Sequence, residues 1–179
     1  MRRLNLCLVF GMLVTFLIHG IFGALQIAGA DADALKTVAW ICLAFVAAHI
    51  AVTTVLTVRT LRARRLSGAG YFKDNLLFWI RRISGFSILI PLVMHLLIFR
   101  AGNAEAYRLQ VFTVGRMLSQ ILLVATIALH VLTNIKPVMI ALGLKGRRAY
   151  ALDAMLILSI LLLLFAVAFA IYYVRWAAN

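Results

Sequence analysis

The four histidines of this 179-residue chain, His19, His49, His95 and His130, each fall in a different apolar stretch, and none lies in a polar segment. Imidazole is the side chain that ligates transition metals and moves protons near neutral pH. One intramembrane histidine is more often a hydrogen-bonded structural residue; four, spread one per stretch, point to shared chemistry. Two of them belong to a repeat. Arg81, Ser84 and His95 recur thirty-five residues later, without a gap, as Arg116, Ser119 and His130. The eleven residues from Ser to His are close to three helical turns, so both share a face, and the Arg lies only about 40° off it. Each run is a helix with a cation and a hydroxyl at one end and an imidazole near the other.

The elements that carry these residues follow from composition. With 65% hydrophobic residues, 13% charged residues and a mean hydropathy of +1.07, the chain has too little polar surface for a water-soluble domain. Apolar runs at about 4–30, 37–58, 83–99, 117–143 and 154–174 are each long enough to approach the roughly 20 residues of a membrane span. The expectation is an all-α membrane protein of five transmembrane helices forming a single domain, 1–179. The first run is longer than the apolar core of a signal peptide and reads as retained. Cys7 and Cys42 both lie in apolar runs and read as small buried hydrophobes. Pro91, one turn before His95, removes a backbone donor to the Ser87 carbonyl and predicts a kink there. The fifth run has no histidine and reads as scaffold.

Thirteen of the 18 Lys and Arg residues fall at the N-terminus, in 59–82 and in 136–148. That asymmetry predicts a cytoplasmic N-terminus and an external C-terminus. The net charge of +13 is then mostly a cytoplasmic-face charge, suited to anionic lipid or to an acidic partner subunit. The 59–80 connection, the longest on that side, is the best docking segment, with Tyr71, Phe78 and Trp79 as interface anchors.

Depth separates the histidines into two levels. Relative to the charges that bracket each helix, His19 and His95 lie outward of the midpoint and His49 and His130 inward, by offsets of about 2 to 6 Å. Short connections make successive helices antiparallel neighbours, so the first four predict an up-down bundle with His19 facing His95 and His49 facing His130. A planar macrocycle whose iron takes an imidazole on each face suits that geometry: two bis-histidine haems b, one above the other. A zinc site would gather its ligands at one level, and covalently attached haem would need a Cys-x-x-Cys-His run. Haem propionates need donors and positive charge. The Arg-x-x-Ser end of each repeat lies about 21 Å along the helix from its histidine. Arg81 and Ser84 would therefore serve the inner haem and Arg116 and Ser119 the outer, with Lys136 a further inner candidate.

Five helices, one histidine on each of the first four, and Arg82, Ser84 and Gly85 leading to His95 resemble the di-haem cytochrome b membrane anchor of succinate:quinone and quinol:fumarate oxidoreductases. The resemblance spans nearly the whole chain. It implies His49 with His130 at the haem proximal to the soluble subunits and His19 with His95 at the distal one. It also implies an iron–sulfur subunit and an FAD flavoprotein on the cytoplasmic face, a prokaryotic cytoplasmic membrane, and a menaquinone or ubiquinone as redox partner, with a dimer of heterotrimers as a candidate assembly. The chain departs from the family where Asn134, Ile135 and Lys136 replace a common Gly-x-Arg. Ala128 also stands where some members carry a carboxylate used in proton transfer.

Quinone chemistry needs a donor to each carbonyl and a proton route. Candidates are Gln26, Asp31, Arg100 and Tyr107 at the outer end, which the resemblance favours, and Ser84, Asp74 and Trp79 at the inner end. The chain would conduct electrons as a subunit, without itself transforming a dicarboxylate. A free-standing haem b carrier of the cytochrome b561 kind, and a haem-free scaffold or transporter, are the alternatives. Nothing in the sequence calls for nucleic acid.

Overall fold

A computed structural model describes residues 2–28, 35–67, 76–99, 112–144 and 148–177. Among these the chain is helical: α1 (Arg2–Ile27), α2 (Leu35–Ser67), α3 (Leu76–Ser87), α4 (Leu89–Phe99), α5 (Val114–Ala141) and α6 (Arg148–Ala177). With α3 and α4 counted as one interrupted span, five helices are long and apolar enough to cross a membrane. The chain is a multi-pass membrane protein. Large apolar side chains stay exposed along these helices, Ile90 at 76% and Leu163 at 64%, as lipid-facing surface requires.

The spans overrun their apolar cores. α2 is 33 residues long and continues past 58 through Arg59, Arg62, Arg64 and Arg65, so much of the expected 59–80 connection is helix. Arginine and leucine are good helix formers, and the two arginines in the last turn complement its unpaired carbonyls. The third span begins at Leu76, ahead of the expected 83, and the last runs from Arg148 rather than 154. The third span is interrupted at Ile88, beside the Ser87 carbonyl that Pro91 leaves without a donor. Helix geometry recovers at once, with Leu92 N–H donating to the Ile88 carbonyl at 2.9 Å.

Two compact units divide the chain. The first comprises Met1–Phe22 and Asp33–Leu76. In it a Cβ at Gly11 would lie 2.7 Å from the ring of Phe45, so glycine leaves room for that ring against α1 and a larger residue would have to displace it. Cys42 is buried, as a small hydrophobe should be, whereas Cys7, expected to be buried as well, is exposed on α1.

The second comprises Gly23–Ala32 and Leu77–Asn179, in which α5 packs against both α4 and α6. Its core gathers Ile27, Ile98, Phe112 and Tyr172, with Phe99, Met117 and Phe169 against them. Tyr172 meets Phe112 edge to face at 5.1 Å. The span without a histidine thus supplies a wall of this core. α5 starts at Thr113, whose hydroxyl accepts from Arg116 N–H, and ends in a Schellman closure. There Leu144 N–H donates to the Met139 carbonyl and Gly143 N–H to that of Ile140. Gly143 turns the chain at φ +79°, a left-handed conformation that glycine alone adopts cheaply.

Candidate functional site

The repeat supplies the geometry. α4 and α5 carry His95 and His130; the matching Arg and Ser lie on α3 in the first repeat and on α5 itself in the second. When two like segments pack antiparallel about a pseudo-twofold, position k of one meets position l of the other and the converse also holds. Residue 85 in the first run corresponds to residue 120 in the second, as His95 corresponds to His130. Both crossed contacts exist. The His130 ring packs on Gly85, where a Cβ would come within 3.0 Å of Cε1 and 3.3 Å of Nδ1. His95 Nδ1 lies 2.8 Å from Oε1 of Gln120.

At the His130 level the imidazole Nδ1 is 3.2 Å from the hydroxyl of Ser84, which is buried at 2% exposure. Ser84 Oγ is also 3.2 Å from the Arg81 carbonyl. Arg81 crosses to α5 and donates from Nε to the Thr133 carbonyl at 2.9 Å. Asn134 donates back to the His130 carbonyl at 2.7 Å. Arg82, next to Arg81, lies over the Phe78 ring at 5.2 Å, a cation–π contact. The Arg81 guanidinium therefore stands about one helix turn from this imidazole, with Arg82 its neighbour in sequence.

At the His95 level the polar chain is longer. Gln120 is wholly buried; its amide nitrogen donates to Ser119 Oγ at 3.0 Å, and Ser119 donates to the Arg116 carbonyl at 2.7 Å. The His95 ring also stacks obliquely on Phe99 at 4.7 Å. Ten residues separate Gln120 from His130, so the two levels lie about 15 Å apart along α5.

No family model, curated protein or solved structure matches this chain.

The expected site residues are distributed as follows. Arg81 and Ser84 come together with His130, and Ser119 reaches His95 through Gln120. Arg116 is half-buried one turn before Ser119, and Lys136 is exposed on α5. His19 and His49, both half-buried, belong to the first unit, where the Thr53 hydroxyl donates to the His49 carbonyl at 2.7 Å. Gln26 is half-buried near the end of α1, and Trp79 meets Phe78 edge to face at 5.5 Å. Asp31, Asp74, Arg100 and Tyr107 lie outside the described residues. Among the described residues no three His, Cys, Asp or Glu side chains converge as a tetrahedral metal site would require. Gln120 is the residue that spacing missed. Its signal was an amide inside an apolar run, one position after the repeated serine.

The arrangement suits metal ligation through Nε2. A ligating histidine nearly always engages its other ring nitrogen with a polar partner, which fixes ring orientation. His95 and His130 both have Nδ1 engaged by a residue of the neighbouring helix.

Proposed function

We propose that the chain is a membrane cytochrome b subunit that carries two haems b and passes electrons between a membrane quinone and the iron–sulfur subunit of a succinate dehydrogenase or fumarate reductase type of complex. The observation that carries this reading is the crossed seating of His95 and His130, each held through Nδ1 at a separate level of one helix pair. The donor set fits the group: imidazoles whose Nδ1 is engaged by a neighbouring polar side chain, and Arg81 and Arg82 near His130 for carboxylates. His49 would join His130 at the inner haem and His19 would join His95 at the outer one, a pairing that rests on sequence depth alone.

A bound haem supplies one-electron transfer at a potential set by its ligands and surroundings. The chain's own residues orient the imidazoles, keep water out with an apolar shell, and set local charge. The cations at His130 favour an electron-rich neighbour there, since positive charge stabilises the reduced form. Gln26 is the described candidate for the quinone end. The arginines of the α2 extension, Arg59, Arg62, Arg64 and Arg65, form part of the basic face proposed to receive the acidic partner subunits.

An optical spectrum of the purified protein tests the reading. The expected result is a reduced α band with haem near two per chain, a value that falls toward one in His95→Ala and in His130→Ala. A colourless protein after expression with ample haem would remove the cytochrome and leave a five-span membrane protein. Co-purification of iron–sulfur and flavin subunits separates the complex from a free-standing carrier.

A further inference from the structure

We propose that Gln120 is a positioning residue that locks His95 in the tautomer with its proton on Nδ1, leaving the lone pair on Nε2. The sense of the lock comes from counting protons along the buried chain. Ser119 has one hydroxyl proton, and it is spent on the Arg116 carbonyl at 2.7 Å. Its oxygen can therefore only accept at its other contact, so the NH2 end of the Gln120 amide faces it at 3.0 Å. The amide is planar, which turns Oε1 toward His95. An amide oxygen only accepts, so Nδ1 at 2.8 Å must be the donor, and a neutral ring with its proton on Nδ1 has none on Nε2.

Burial makes the lock tight. Gln120 has no exposed surface, and no water competes for its oxygen. The first repeat has no equivalent. Gly85 stands in the corresponding position, and Ser84 lies 3.2 Å from both the Arg81 carbonyl and His130 Nδ1, so its single proton can serve either. One level of the site has a fixed donor direction and the other does not.

The role deepens the proposed haem ligation, and rests on it only for what Nε2 binds. An acceptor that draws on the Nδ1 proton makes Nε2 a stronger donor and favours oxidised iron. A carboxylate at residue 120 strengthens this pull, and an alkyl side chain of similar size abolishes it.

Nitrogen NMR of full-length haem-free protein in detergent micelles reads the tautomer, with the His95 signals assigned by their loss in His95→Gln. The expected result is Nδ1 protonated in the wild type and in Gln120→Glu, and a mixture of tautomers in Gln120→Leu. Nε2 protonated in the wild type, or an unaltered Nδ1–H signal in Gln120→Leu, would overturn the proposal. Redox titration of the haem-loaded protein gives the second readout. One of two midpoint potentials moves negative in Gln120→Glu and positive in Gln120→Leu, and haem is bound about tenfold or more weakly at that level in Gln120→Leu. Two haems whose potentials are the same in all three proteins would also overturn it. The expected tautomer in a protein that takes up no haem supports the positioning role and rejects the cytochrome.

Discussion

Gly85 is where a single atom decides the most. The His130 ring occupies the space a Cβ would fill, with Cε1 3.0 Å from that point. The ring cannot simply rotate away, because Ser84 holds Nδ1 from the same helix. Gly85→Ala is therefore expected to destabilise the packing of α3 on α5 by about 1–3 kcal/mol, the usual range for an added carbon in a packed interior. Unfolding in detergent with increasing SDS measures it. Gly85→Leu should expel the ring, and with it the haem proposed at His130, while the His95 level keeps its own. If haem content is the same in Gly85→Leu as in the wild type, His130 is not a ligand. Ser84 was legible in the sequence because it recurs in the repeat, and Gln120 was not, because its counterpart is a glycine. The pseudo-symmetry preserves positions rather than residue types, and only packing reveals which position meets the opposite histidine.

Among the elements, the helix ends diverge most from what hydropathy indicates. Apolar runs locate the part of a helix that lipid surrounds, whereas helix ends are decided by caps and breakers. α2 carries on to Ser67 because Arg59 to Leu66 contains neither glycine nor proline. The interruption at Ile88 was legible, since proline removes a named hydrogen bond wherever it stands. Pro137, by contrast, lies inside α5 and the helix continues to Ala141. What stops α5 is the closure at Gly143, with its φ of +79° and its bond to the Ile140 carbonyl. Gly143→Ala forces a side chain into a left-handed conformation at a cost of roughly 1–2 kcal/mol. Since a Cβ there meets no neighbouring atom, this cost is conformational alone. The expected outcome is a lower unfolding midpoint in SDS with both haem potentials unchanged, which separates end-of-helix stability from the site.

At the scale of the whole molecule, five helices are long and apolar enough to span a membrane, and charge is proposed to choose which way they run. The α2 extension bears much of that choice. Its Arg59, Arg62, Arg64 and Arg65 are carried on continuous helix beyond the apolar segment, with no acidic residue among them. Each cation held near an anionic leaflet is worth about 1 kcal/mol, so four of them bias the orientation by about 4 kcal/mol, enough to make one topology dominant. Replacing all four with glutamine leaves the helix propensity of the segment nearly intact and removes their share of the bias. In cysteine-free protein, with Cys7 and Cys42 both replaced by alanine, a cysteine introduced at Leu66 reports the side by labelling with a membrane-impermeant maleimide. It should be protected in intact cells when the arginines are present and become partly labelled when they are glutamine. External labelling at Leu66 with all four arginines in place would reverse the orientation and move the docking face for the proposed iron–sulfur partner to the other side of the membrane. It would leave the crossed contacts of His95 and His130 untouched, because those depend on the repeat and not on which way the helices point.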